Sequence, residues 1–163
     1  MKKIKEFLIK YKTYIISCLI SLGVGALSAL LTMGNMDIYS EIKMPPLSPP
    51  AFLFPAVWTV LYLLMGISSA RIYEYRFTYK NGVKEALTYY AASLIINFTW
   101  GIIFFNFRSF LLAFVWILLL LFLIIKTVLS YKDIDKPAMY LQIPYIVWVA
   151  FAAYLNFGII LLN

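Results

Sequence analysis

The sequence predicts an all-α membrane protein, a bundle of five transmembrane helices, on three observations. Hydrophobic residues make up 64% of the 163 residues and charged residues 13%, with a mean hydropathy of +0.88. A core this small cannot hide so much apolar surface, so lipid must cover it. The apolar residues also gather in runs near the roughly 20 residues that a helix needs to cross a bilayer. Finally, twelve of the fourteen basic residues fall on one side of those runs. The whole chain, 1–163, reads as one membrane domain.

The first span is placed at 13–33, behind an arm carrying Lys2, Lys3, Lys5, Lys10 and Lys12. A basic start before an apolar run is also how a secretory signal begins, but this run exceeds a typical signal core. Cys18, the single cysteine, lies inside this span and has no disulfide partner; it reads as packing. A loop with Pro45, Pro46, Pro49 and Pro50 leads into the second span, 51–73. Proline fixes φ and restrains its predecessor, so this loop is expected to be stiff and extended, a lid rather than a linker.

The third span, 84–105, is diluted by Tyr89, Tyr90, Ser93, Asn97 and Thr99, and such a stripe turns toward neighbouring helices. The fourth, 109–130, is the purest, with only Lys126 near its end and Trp116 read as lipid-facing or packing. The fifth, 137–161, contains Pro144, a candidate kink that would free a carbonyl.

The net charge of +7 follows the loops. The arm, the second loop (Arg71, Arg76, Lys80, Lys84) and the fourth (Lys126, Lys132, Lys136) are basic; the opposite side has Lys43 and Arg108. By the positive-inside rule the N-terminus is cytoplasmic and the C-terminus outside, as in a multi-pass protein of the cell membrane. The basic excess is therefore a topology signal, and no nucleic-acid partner is expected.

Histidine is absent, which removes the commonest metal and haem ligand and the default general base. No Asp, Glu or Cys spacing resembles a metal site, so none is assigned and no cofactor is required. The acidic residues are expected in the arm and loops, leaving no mid-membrane carboxylate for proton coupling. Neither a phosphate-binding glycine loop nor a nucleophile elbow occurs.

Uncharged aromatic and polar stripes remain. Trp58, Tyr62 and Met65 share a face of the second helix; Asn97, Trp100 or Gly101, and Phe104 share one of the third. On the fifth, Pro144, Trp148 and Ala152 align, with Leu155 and Asn156 a turn further on. Such faces can line a cavity for a flat apolar ligand, or place rings at the membrane interface as a belt. Asn97 is expected to bond another helix in either case, because a buried amide needs a partner. Gly25 and Ala29, and Gly66 and Ala70, permit close helix approach within the bundle or between chains.

These motifs resemble a known family. PPLSPPAFLFPAVWTVLYLLMGIS at 45–68, NFTWGIIFF at 97–105 and IPYIVWVAFAAYLN at 143–156 are similar to the three signature segments of the TspO/MBR family (translocator protein, tryptophan-rich sensory protein), as in its bacterial members. The resemblance implies a five-helix bundle, often a homodimer, that binds porphyrins such as protoporphyrin IX or haem, and other flat hydrophobic ligands, under the first loop. It implies that Trp58 and Trp148 line the pocket, with Tyr62, Asn97, Trp100, Phe104, Ala152 and Leu155 near it and Tyr39 and Pro49 contributed by the lid. Many members carry Trp before that tyrosine; Ile38 stands here. Mammalian members have a C-terminal sterol motif that needs a basic residue after its tyrosine, and none follows Tyr154. Three functions stay open: a tetrapyrrole sensor, a light- and oxygen-dependent porphyrin-degrading enzyme using Trp58 and Trp148, and a porphyrin or lipid transporter.

Overall fold

Five apolar runs become five helices long enough to cross a membrane, joined by a lid segment that contains one short helix. The computed structural model describes residues 2–163, with side chains from Tyr11 onward. Lys2, Lys3, Lys5 and Lys10 of the basic arm thus lie outside the described side chains. In chain order the helices are α1 (Lys2–Thr32), α2 (Ile38–Glu41), α3 (Leu53–Glu74), α4 (Lys80–Gly101), α5 (Phe110–Lys132) and α6 (Lys136–Leu162). A 3₁₀ turn, Met33–Asn35, follows α1, and a π-helical turn, Ile102–Asn106, ends α4.

The helices overrun the predicted spans mostly at the basic end: α1 begins in the arm and α4 begins at Lys80 rather than 84. Lys and Glu are good helix formers, so a helix continues after its hydrophobicity has stopped. For the same reason Glu74 and Glu85 lie on helix ends, not in loops as expected. Pro144 does not interrupt α6, which runs through it.

Packing closes a ring: α1 on α3, α3 on α6, α6 on α5, α5 on α4 and α4 back on α1, with α3 and α4 also touching across it. Gly66 sets the α1–α3 approach, because a Cβ there would sit 2.6 Å from the backbone of Cys18. The small-residue pairs therefore serve contacts within the chain. At the basic end, Arg71 Nε and Nη2 donate to the two oxygens of Asp135 at 2.6 and 3.2 Å. Asp135 also caps α6 by accepting from the Ala138 amide, and Pro137 suits the first helical turn. Ser68 continues the tie, donating to the Ala138 carbonyl and accepting from Gln142. Trp116 donates to Thr99 Oγ1 at 2.8 Å, fastening α5 to α4.

The proline-rich loop is not the extended strap that proline content predicts. It turns twice, closed by Ser48 N–H to the Pro45 carbonyl and Leu53 N–H to the Pro50 carbonyl. Pro46 and Leu47 occupy the corners of the first turn, Leu47 at φ 66°. Proline at the second turn position and a left-handed third residue are the type II pattern, where glycine or asparagine usually stands. The Leu47 side chain is exposed, so only its backbone is at stake. Leu47→Gly is expected to leave the melting temperature unchanged or slightly raised, since the relief of about 1 kcal/mol of left-handed strain offsets added chain freedom. A clear fall in thermal unfolding measurements would show that the leucine side chain holds the lid.

Candidate functional site

The ring of helices is floored at mid-bundle by Asn97. Its Nδ2 donates to the hydroxyl oxygens of Tyr145 at 3.0 Å and Tyr62 at 3.3 Å, joining α4 to α6 and α3. This is the interhelical amide bond expected from sequence. Above it, the Trp58 ring lies 5.6 Å from Tyr62 and 6.1 Å, edge-on, from Tyr145. Trp148 meets Phe54 edge-on at 5.8 Å, and Phe54 stacks on Tyr39 of the lid at 5.5 Å.

These rings surround a cavity of about 200 Å³. Trp58, Tyr62, Asn97, Trp100, Trp148, Ala152 and Tyr39 line it. Phe104 and Leu155 line instead a smaller chamber of about 20 Å³ next to it, sharing Tyr39, Phe54, Trp100 and Ala152 with the main space. Pro49 lines neither; Ala51 of the loop and Phe54 and Pro55 of the first turn of α3 stand there instead. The wall that sequence reasoning missed is α1, which contributes Gly25, Ser28, Ala29 and Thr32. The Gly25–Ala29 spacing was the available signal, but it reads equally as helix packing. A Cβ at Gly25 would fall 2.2 Å from the Tyr62 ring, so glycine leaves that ring its place.

Residues 16–162 match the TspO/MBR family. The chain belongs to the TspO/MBR family. Similar members include the tryptophan-rich protein TspO of Chlorobaculum tepidum, 39% identical over 77% of this chain and 78% of that protein. Protein CrtK of Rhodobacter capsulatus is 30% identical over 94% of this chain and 92% of its own length. The translocator protein of Ovis aries is 33% identical over 73% and 70%. The chain is thus a multi-pass TspO/MBR membrane protein, with relatives in bacteria and mammals.

In this TspO/MBR cavity no lining residue among those described is charged. Among the described residues no cluster of His, Cys, Asp and Glu suited to a metal occurs. What the cavity offers is ring faces and a few polar atoms. Trp148, which lines it, and Trp100, which stands between it and the small chamber, have buried indole N–H groups without a hydrogen-bond partner among the described residues. Burial pushes the Tyr39 hydroxyl up to about 12, so the lid tyrosine stays protonated at neutral pH.

The lid is tied at separate points. Asn163 makes two bonds to the Lys43 backbone, donating to its carbonyl and accepting from its amide. Tyr154 donates to the Pro46 carbonyl at 2.9 Å, and Pro45 packs where a Cβ of Gly158 would stand. Arg108 pairs with Glu41, both half-exposed, at 2.6 Å. The polar ties are exposed, while Ile38 is fully buried beside Phe104 and Phe105 and Tyr39 packs on the same two rings, so opening the lid uncovers that cluster.

Proposed function

We propose that this TspO/MBR protein binds a porphyrin, metal-free or metallated, within its aromatic cavity and acts as a tetrapyrrole sensor or regulator. The observation that carries this is the cavity itself: indoles of α3, α4 and α6 with Phe54 of α3, under a lid that adds Tyr39, with no charge on its walls among the described residues. Such surfaces receive a flat apolar ring by stacking and area burial. The volume of about 200 Å³ lies below the roughly 300–1,000 Å³ of ordinary ligand pockets, so a macrocycle enters with displacement of the lid. Ionised propionates stay at the mouth, on the side that carries Lys43 and Arg108. Helix ends place Arg71, Arg76, Lys80, Lys84, Lys132 and Lys136 together at the opposite end, which supports a cytoplasmic N-terminus in the cell membrane.

With no histidine in the chain, ordinary imidazole ligation of haem iron does not contribute. Metal-free protoporphyrin IX and haem are therefore expected to bind within about threefold of each other in equilibrium titrations. Haem binding that is tighter by tenfold or more would overturn ring stacking as the source of affinity.

A second reading, light- and oxygen-dependent breakdown of the bound porphyrin, draws on the two indoles Trp58 and Trp148 in the cavity wall. An illuminated, aerated sample that forms a new product over several turnovers in wild type, but not in Trp58→Phe, would favour it. Bleaching of porphyrin alone at the same rate in both proteins would dismiss it.

A further inference from the structure

The small chamber beside the cavity has a chemistry of its own. Its volume of about 20 Å³ holds one water-sized group. Asn156 lines it, is 1% exposed, and leaves Oδ1 without a partner. The amide orientation is fixed: Nδ2 donates to the Phe110 carbonyl at 3.1 Å, and that carbonyl can only accept. Oδ1 is thus a committed acceptor. Trp100 lines the same chamber, and its buried Nε1 is a donor with no acceptor. One acceptor and one donor around a space for one oxygen are complementary to a hydroxyl, which both gives and takes a hydrogen bond. The other walls are apolar: Met44, Phe54, Phe104, Leu155 and Ile159. They give an ionised carboxylate no counter-charge.

We propose that Asn156 and Trp100 form a polar subsite that takes one hydroxyl group of an otherwise flat, apolar ligand held in the main cavity. The ligand donates to Asn156 Oδ1 and accepts from Trp100 Nε1, which orients it with its hydroxyl end toward α5 and α6. This deepens the reading of the cavity as a ligand site and rests on it. Leaving either buried group unpaired disfavours a ligand that lacks the hydroxyl, the source of discrimination by hydrogen-bonding sites.

The test uses the full chain in nanodiscs, titrated calorimetrically with naphthol and with its methyl ether, with empty discs as the partition control. Wild type is expected to prefer naphthol about tenfold, one hydrogen-bonded donor's worth. Asn156→Leu is expected to bring the two probes within about twofold while leaving the ether's affinity unchanged. Trp100→Phe removes the donor together with part of a ring that lines both spaces, so both probes are expected to weaken, naphthol more than its ether; that narrowed preference keeps the proposal testable if Asn156→Leu does not fold. Equal binding of both probes to wild type would overturn it, as a permanently held water would produce. So would an equal loss of both probes in Asn156→Leu, the mark of a purely structural amide. A naphthol preference in a protein that fails to bind protoporphyrin IX would leave the subsite standing and remove the porphyrin reading alone.

Discussion

Gly66→Val is expected to destabilise the bundle by about 3 kcal/mol, through overpacking that a rigid neighbour cannot relieve. The atoms in the way are the Cys18 Cα at 2.6 Å and amide nitrogen at 2.9 Å, with Ser21 Oγ at 2.8 Å. Backbone cannot swing aside as a side-chain tip does, so α1 must separate from α3. That separation would also release Ser21, whose hydroxyl donates to the Tyr62 carbonyl at 2.7 Å. Gly23→Val is the matched control, because nothing lies within 4 Å of a Cβ placed there. Thermal unfolding in detergent should show a large drop for Gly66→Val and little change for Gly23→Val. Equal effects would mean that helix propensity, not the α1–α3 approach, decides the outcome.

The second large effect is expected at Asn97→Leu. This substitution removes the amide that donates to both the Tyr145 and the Tyr62 hydroxyls, which are buried in the floor of the cavity. Interhelical hydrogen bonds in membranes contribute about 0.6 kcal/mol on average and up to about 1.7, and an unpaired buried hydroxyl adds its own cost. A combined loss of about 2–3 kcal/mol is therefore expected. Ligand affinity should fall as well, because Asn97 lines the cavity. The informative arm is Asn97→Leu combined with Tyr145→Phe: if the cost comes from the orphaned hydroxyl, the double variant is more stable than Asn97→Leu alone. Additive losses would place the cost in packing instead.

Much of this arrangement is legible in the chain because the membrane imposes simple rules. Spans show as long apolar runs, and the helices depart from them mostly at the basic ends, where Lys80 and Glu74 continue helices that lipid no longer requires. Trp58, Tyr62, Asn97, Trp100, Trp148 and Ala152 were legible as cavity candidates because each lies on a helical stripe mixing rings with small or polar residues. The α1 wall was not, since its contribution at Gly25 and Ala29 is the lack of a side chain, and lack has no periodic signature of its own. The lid was misread as extended because Leu47 takes a left-handed conformation without the glycine that would announce it. Asn156 was placed on its stripe, but its free oxygen depends on which amide atom faces Phe110, a matter of tertiary geometry alone.

The most direct measurement is a titration of the purified protein with protoporphyrin IX in the dark, followed by tryptophan quenching, on wild type and Trp148→Phe. Trp148 lines the cavity and meets Phe54 of α3, the ring on which the lid's Tyr39 stacks, edge-on at 5.8 Å, so its loss removes both a stacking face and a support of that ring. Saturable micromolar binding in wild type, weakened about tenfold by the substitution, is the expected result. Binding that is unsaturable, or saturable but indifferent to Trp148→Phe in folded protein, would contradict the assignment of this cavity to a porphyrin.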